Sequence, residues 1–138
     1  CLIIITTYKC RLLLVMKNIL IFILLLFSFS SAAVSKETTF TNEIFAKSQL
    51  DGKTVVIHSW NKTCTTCAKQ EKILDQAKQD FKDVIFLSFE QTKDKKIAKF
   101  LGIDYWTTIV VYKENKEISR TIGQTKKEKI YSQINSLQ

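Results

Sequence analysis

The sequence predicts an α/β domain: a mixed β-sheet flanked by helices on both faces, preceded by an N-terminal signal segment. Three observations lead there. Two apolar, β-branched runs, "TVVIHSW" (54–60) and "VIFLSFE" (84–90), alternate with stretches of helical periodicity. That alternation ends in two further strand-like runs, "TTIVVYK" (107–113) and "KEISRTI" (116–122), flanking Glu114-Asn115 as a hairpin would. Ahead of all of these stands one short greasy run that fits neither pattern. Alternation followed by a hairpin implies a sheet that is parallel in part and antiparallel in part, with helices on both sides.

Each element has a local reason. In "TNEIFAKSQLDGK" (41–53), Ile44, Phe45 and Leu50 are spaced like one helical face, and Asp51-Gly52 stops the helix. Residues 54–60 make a buried strand. From Cys64 the pattern turns helical: Cys67, Leu74, Ala77 and Phe81 fall near one stripe, Ile73 lies beside it, and Lys, Gln and Asp residues take the other side. Residues 84–90 form a second buried strand. "KDKKIAKFLG" (93–102) reads as a short helix ended by Gly102. After the hairpin, Thr125 and Glu128 have the spacing of a capping box, opening a last helix with Ile130, Ile134 and Leu137 inward.

The first 33 residues read as a signal peptide region. The first methionine is Met16, followed by Lys17, an apolar run from Ile19 to Phe29, and the small residues Ser31-Ala32-Ala33. Basic start, short greasy middle and small-residue cleavage site make a secretory signal cut near Ala33. The run is about half of the roughly 20 residues that span a bilayer, so an uncleaved anchor is the weaker alternative. Residues 1–15 are read as upstream sequence or an over-long start, and Cys1 and Cys10 are given no role. The domain then occupies 34–138, enough for one modest core.

Charge and composition exclude little and suggest little. Residues 34–138 hold 18 basic and 13 acidic side chains, a net charge of +5, and the lysines are interleaved with acids. No aromatic pattern runs among them, so a solvated surface is expected and nucleic-acid binding is not. The chain has no proline and only three glycines, which leaves no stretch that reads as a flexible linker. Nothing points to a dimerisation segment, so a monomer is expected.

The informative stretch is "SWNKTCTTCAKQ" (59–70), where Cys64 and Cys67 follow the strand that ends at Trp60. Binding crevices in such sheets lie beyond the carboxyl ends of the parallel strands. By residues alone the pair is a redox couple, a closed staple or part of a metal site. Zinc asks for four ligands, while residues 34–138 offer two cysteines and one histidine, so no metal and no cofactor are expected. A cysteine at a helix N-terminus faces unpaired N–H groups and the positive end of the dipole, which favour its thiolate. Cys67, one turn on, shares that face and is less exposed.

Trp60 four residues before Cys64, Cys64-Thr65-Thr66-Cys67 between strand and helix, "FLGIDYWTTIVVYK" downstream and Gly123 before the last helix together resemble the thioredoxin-like thiol–disulfide oxidoreductases. The resemblance covers residues 40–138. It implies that Cys64 attacks and Cys67 resolves. It also implies protein thiol or disulfide substrates and a membrane or soluble thiol protein as redox partner.

Three departures from that family stand out. Where its members carry a cis proline followed by threonine, this chain has Thr107 and Thr108, with Trp106 before them. A cis bond ahead of a non-proline costs about 2.5–4 kcal/mol, so Trp106–Thr107 is expected to be trans. The family's buried acid, two residues before the tryptophan, falls on His58. A neutral histidine can serve as the base for the resolving cysteine, or sit hydrogen-bonded in the core. Thr65-Thr66 replaces the commoner Gly-Pro, and Thr63 the second tryptophan; Lys62 either adds positive charge near Cys64 or is simply solvated. Trp60, Trp106, Thr107 and Thr108 are the residues expected to meet substrate, although packing alone also accounts for the tryptophans.

The expectation is therefore an exported enzyme, periplasmic or secreted, that exchanges disulfides in other proteins. The alternative is a redox-inactive thioredoxin-like module that binds peptide or metal around a structural cysteine pair.

Overall fold

In the computed structural model, which describes Met16, Lys17 and residues 38–136, the domain runs as nine elements. They are β1 (Thr38–Thr39), α1 (Asn42–Leu50), β2 (Thr54–Trp60), α2 (Thr65–Asp80), β3 (Val84–Glu90), α3 (Lys95–Phe100), β4 (Thr108–Lys113), β5 (Lys116–Ile122) and α4 (Lys127–Asn135). The expected signal lies outside the described residues apart from Met16 and Lys17. Among the described residues no helix is long and apolar enough to cross a membrane.

The strands form one sheet in the order β1-β3-β2-β4-β5. β3 is parallel to both β1 and β2, whereas β4 is antiparallel to β2 and to β5. The mixed sheet expected from the sequence is therefore present, with β1 as a two-residue addition at its edge. β2 lies at the centre, which explains why "TVVIHSW" lacks an alternating polar face: all of its residues but Trp60 are buried.

Each face has its own core. Phe40, Phe45, Leu87, Phe89, Leu101 and Ile103 pack with Val55 and Ile57 on the side covered by α1 and α3. Leu74, Ala77, Phe81, Ile130 and Ile134 pack with Val56, Ile109 and Val111 beneath α2 and α4. Gly102 follows α3 at φ +58°, where a glycine avoids the steric cost of a side chain. The hairpin turns through Glu114 and Asn115, both with positive φ, as a two-residue primed turn requires.

Two local expectations fail. Leu50 ends α1 fully in solvent at 82% exposure. Gln49 is buried instead, its Oε1 accepting the Asn115 N–H at 2.7 Å and so fixing the hairpin turn to α1. The Thr125–Glu128 capping box does not form. Lys126 is the N-cap of α4 and makes no side-chain capping bond; its own N–H donates to Gln124 Oε1 at 3.1 Å. Leu137 lies outside the described residues.

Candidate active site

The site grows from the end of β2. Asn61 builds a turn there: its Oδ1 accepts from Thr63 N–H at 3.1 Å and from Thr63 Oγ1 at 3.0 Å. Its Nδ2 donates to Thr92 Oγ1 across the gap to β3's end, and its carbonyl accepts the Cys64 N–H at 3.2 Å. The turn delivers Cys64 in extended geometry to the N-cap of α2. Serine or threonine usually supplies an oxygen at that position; here Cys64 Sγ takes the role and accepts the Cys67 N–H at 3.0 Å. No acidic side chain lies in the first turn of α2 to offset the positive end of the helix.

Cys64 and Cys67 are joined as a disulfide, with Cα atoms 5.2 Å apart. Cys64 is half-buried and Cys67 is buried beneath it. The pair is thus asymmetric in burial, with Cys64 the more exposed of the two.

His58 is buried on the α2 side of β2, with Ser88 of β3 and Ile109 of β4 beside it in register. Its Nε2 lies 3.2 Å from Oε1 of Gln70, a residue of α2 with no solvent exposure. The Gln70 amide nitrogen donates to the carbonyls of Thr107 and Gln124, at 3.0 Å each.

Thr107 follows a trans peptide bond, as expected, and no cis bond occurs among the described residues. Its backbone is nevertheless unusual, with φ at 66°, a region that β-branched residues rarely enter. Three hydrogen bonds hold it: its N–H donates to Ser59 O, and its carbonyl accepts from Gly123 N–H and from Gln70. Thr108 is buried, its Oγ1 donating to Tyr105 O at 2.6 Å, so its hydroxyl braces the loop from within. Trp60 is half-buried at the end of β2, and Trp106 and Tyr105 are exposed just before Thr107. The Thr107–Ser59 bond brings these two stretches together at the same end of the sheet as Cys64.

Beside Trp60 in the sheet, the buried Glu90 carboxylate accepts from Lys93 Nζ at 2.7 Å, and that bond raises the Lys93 ammonium above its ordinary value. Lys62 is exposed. Among the described residues no group of three or more His, Cys, Asp and Glu side chains is arranged to hold a metal ion.

The sequence reading missed Asn61, Gln70 and Gln124. Gln70 had a signal: it lies three residues after Cys67 and four before Leu74, within the buried stripe of α2 rather than on its polar side.

A family model described as Thioredoxin matches residues 31–136. A thioredoxin F-type, chloroplastic, protein of Pisum sativum is 33% identical over 72 residues, 51% of this chain and 40% of that protein, so the match spans well under half of the relative's length. Among solved structures, thioredoxin F from spinach chloroplast is 27% identical, covers 76% of this chain and 88% of its own, and has a TM-score of 0.65. The oxidised form of mitochondrial thioredoxin 3 from Saccharomyces cerevisiae, 21% identical, covers 77% of this chain and all of its own at a TM-score of 0.66.

Proposed function

Since the chain belongs to the thioredoxin family, we propose that it is a protein thiol–disulfide oxidoreductase working through Cys64 and Cys67. One observation carries the reading: an accessible sulfur caps a sixteen-residue helix and accepts its N–H, with a second, buried sulfur bonded to it one turn on.

In the reduced protein, N–H donation and the helix terminus favour the Cys64 thiolate, the form that exchanges. It attacks one sulfur of a substrate disulfide. That S–S bond breaks, the other substrate sulfur leaves as thiolate, and a mixed disulfide joins Cys64 to the substrate. Cys67 then gives up its proton, and its thiolate attacks Cys64 Sγ. The mixed bond breaks, the second substrate thiolate departs, and the 64–67 bridge closes. Run backwards, the same steps oxidise a dithiol substrate. His58 is the proposed acceptor of the Cys67 proton, Trp60, Trp106 and Thr107 form the proposed substrate contact, and the buried Thr108, expected to join them, supports that loop from within. Electrons come from or go to another thiol protein.

The leader-like pattern of residues 16–33 supports export to the periplasm or outside the cell. Expression of the full chain followed by N-terminal sequencing of the exported fraction tests this, with a new terminus after Ala33 expected.

The activity is tested with two variants on a model protein disulfide such as insulin. Cys64→Ser abolishes exchange, and Cys67→Ser accumulates a mixed disulfide with the substrate. Full activity in Cys64→Ser ends the proposal. A pair that stays closed in strong reductant points instead to the binding module with a structural bridge.

A further inference from the structure

The hydrogen bonds around Gln70 determine more than its own placement. A carboxamide has two N–H donors on nitrogen and only acceptor sites on oxygen. Both groups facing the Gln70 nitrogen are backbone carbonyls, of Thr107 and Gln124, and carbonyls only accept. The amide therefore has one satisfactory orientation, with nitrogen toward those carbonyls and Oε1 toward His58. An oxygen without a hydrogen, 3.2 Å from a ring nitrogen, needs the hydrogen on that nitrogen. His58 Nε2 must supply it.

Two consequences follow. A neutral His58 is the Nε2–H tautomer, with its lone pair on Nδ1. The protonated ring also carries Nε2–H, so the bond to Gln70 persists in either charge state. A proton can thus arrive at and leave from Nδ1 while the Nε2 bond to Gln70 stays in place.

The amide also reaches the loop. Thr107 holds a left-handed backbone, which for an L-residue costs about 1–2 kcal/mol, and such conformations last only when the surroundings over-determine them. Gln70 provides one of the three bonds that do so. One buried side chain therefore orients the histidine and secures the loop that follows Trp106.

We propose that Gln70 is a positioning residue that locks His58 as the Nε2–H tautomer, makes Nδ1 the nitrogen that exchanges the proton, and couples that ring to the Thr107 loop. The inference deepens the dithiol reading and rests on it for its kinetic part; the tautomer does not depend on that reading. Other described groups also stand about His58. Ser88 and Ile109 flank it across the sheet and do not titrate in this range, and α2 contributes Gln70 and, one turn earlier, Cys67. Gln124 approaches from the segment before α4, and Glu90, next along the same face of β3, is bound to Lys93.

His58 is the chain's only histidine, so a two-bond ¹H–¹⁵N correlation spectrum of the labelled full chain shows a single imidazole. The expected pattern above the ring's titration is a protonated Nε2 and a bare Nδ1. An Nδ1–H pattern, or an averaged mixture, overturns the proposal whatever the enzymatic activity. Gln70→Met keeps the volume and removes all three hydrogen bonds. In that variant the tautomers are expected to mix, and resolution by Cys67 to slow about tenfold, a modest part of what general-base catalysis supplies, and by more than first attack by Cys64. Wild-type resolution in a folded Gln70→Met protein also overturns it. Should the variant fail to fold, the wild-type spectrum decides. A locked tautomer in a protein that exchanges no disulfides sinks the dithiol reading and leaves the lock standing.

Discussion

Residues that alternate along β2 go to opposite faces of one sheet, and the two faces are built differently. Val55 and Ile57 join a core rich in rings, where Phe40 stacks 5.5 Å from Phe45 and meets Phe89 edge-on at 6.3 Å. Val56 joins a core beneath α2 and α4 that is mostly aliphatic, with Phe81 its one buried ring, but His58, two residues later, starts a polar layer that continues through Gln70 to Thr107 and Gln124. Burying such groups is costly unless each is hydrogen-bonded, which is why the layer comes as a connected set. The comparison separates two tasks: the ring-rich face supplies stability, while the other gives up some apolar burial at one end, where the Cys64–Cys67 disulfide lies.

The strongest way to break that division is Phe40→Ala. Phe40 is almost fully buried and contacts two other rings, so its removal is expected to cost about 3–5 kcal/mol in urea unfolding. Exchange by the protein that remains folded should stay within about twofold of wild type. A much larger loss of rate per folded molecule means that the two faces are not separable.

How far this division could be read beforehand differs by residue. β2 and β3 were legible because β-branched runs carry their own signal, and the stripe through Cys67, Leu74, Ala77 and Phe81 is buried as its period required. Cys64 at a helix start followed from the change of period at that residue. β1 was not legible, since two residues carry no periodicity and pair only because β3 is there. The capping box was a pattern match defeated by a neighbour: Gln124 takes the Lys126 N–H, and α4 starts after it. Gln70 and Lys78 were assigned to the polar side of α2 because of their chemistry, yet both are buried, Lys78 with Asp75 at 3.0 Å. Thr107 is the instructive failure. Its backbone is set by Ser59, Gln70 and Gly123, all distant in sequence, so no local rule could give it.

Thr107 also supplies the next test. Proline, the residue that the family resemblance implies here, has no N–H to give to Ser59 O and fixes φ near −65°, against the 66° observed. Thr107→Pro is therefore expected to destabilise by about 2 kcal/mol or more, combining a buried carbonyl left unpaired with a backbone that cannot fit. Thr107→Gly should do the opposite. Relief of the left-handed cost outweighs glycine's extra entropy loss, for a gain of about 0.5 kcal/mol. Urea midpoints of the three proteins check both signs. A proline variant as stable as wild type means that this loop adopts another backbone path at little cost, and the polar layer is then less fixed than its hydrogen bonds suggest.

The smallest effect lies at the far end of the same face, away from the sulfurs. There Tyr131 of α4 meets Phe81, just past α2, edge-on at 5.2 Å and donates its hydroxyl to Asp80 Oδ2 at 2.6 Å. Burial, then the bond to the Asp80 carboxylate, pushes the Tyr131 phenol up to about 12. An unfolded tyrosine ionises near pH 10, so the proton is held more tightly in the folded chain. The sign follows: this contribution is complete below pH 10 and fades as pH rises toward 12. The stability difference between wild type and Tyr131→Phe should therefore be constant from pH 7 to 9 and shrink above 10, since phenylalanine has no proton to lose. Thermal melts of the pair at matched ionic strength report it, and the common response of the other tyrosines cancels in the difference. A gap that stays constant up to pH 11.5 means that Tyr131 is not held by Asp80, and α2 and α4 are then joined at that end by apolar packing alone.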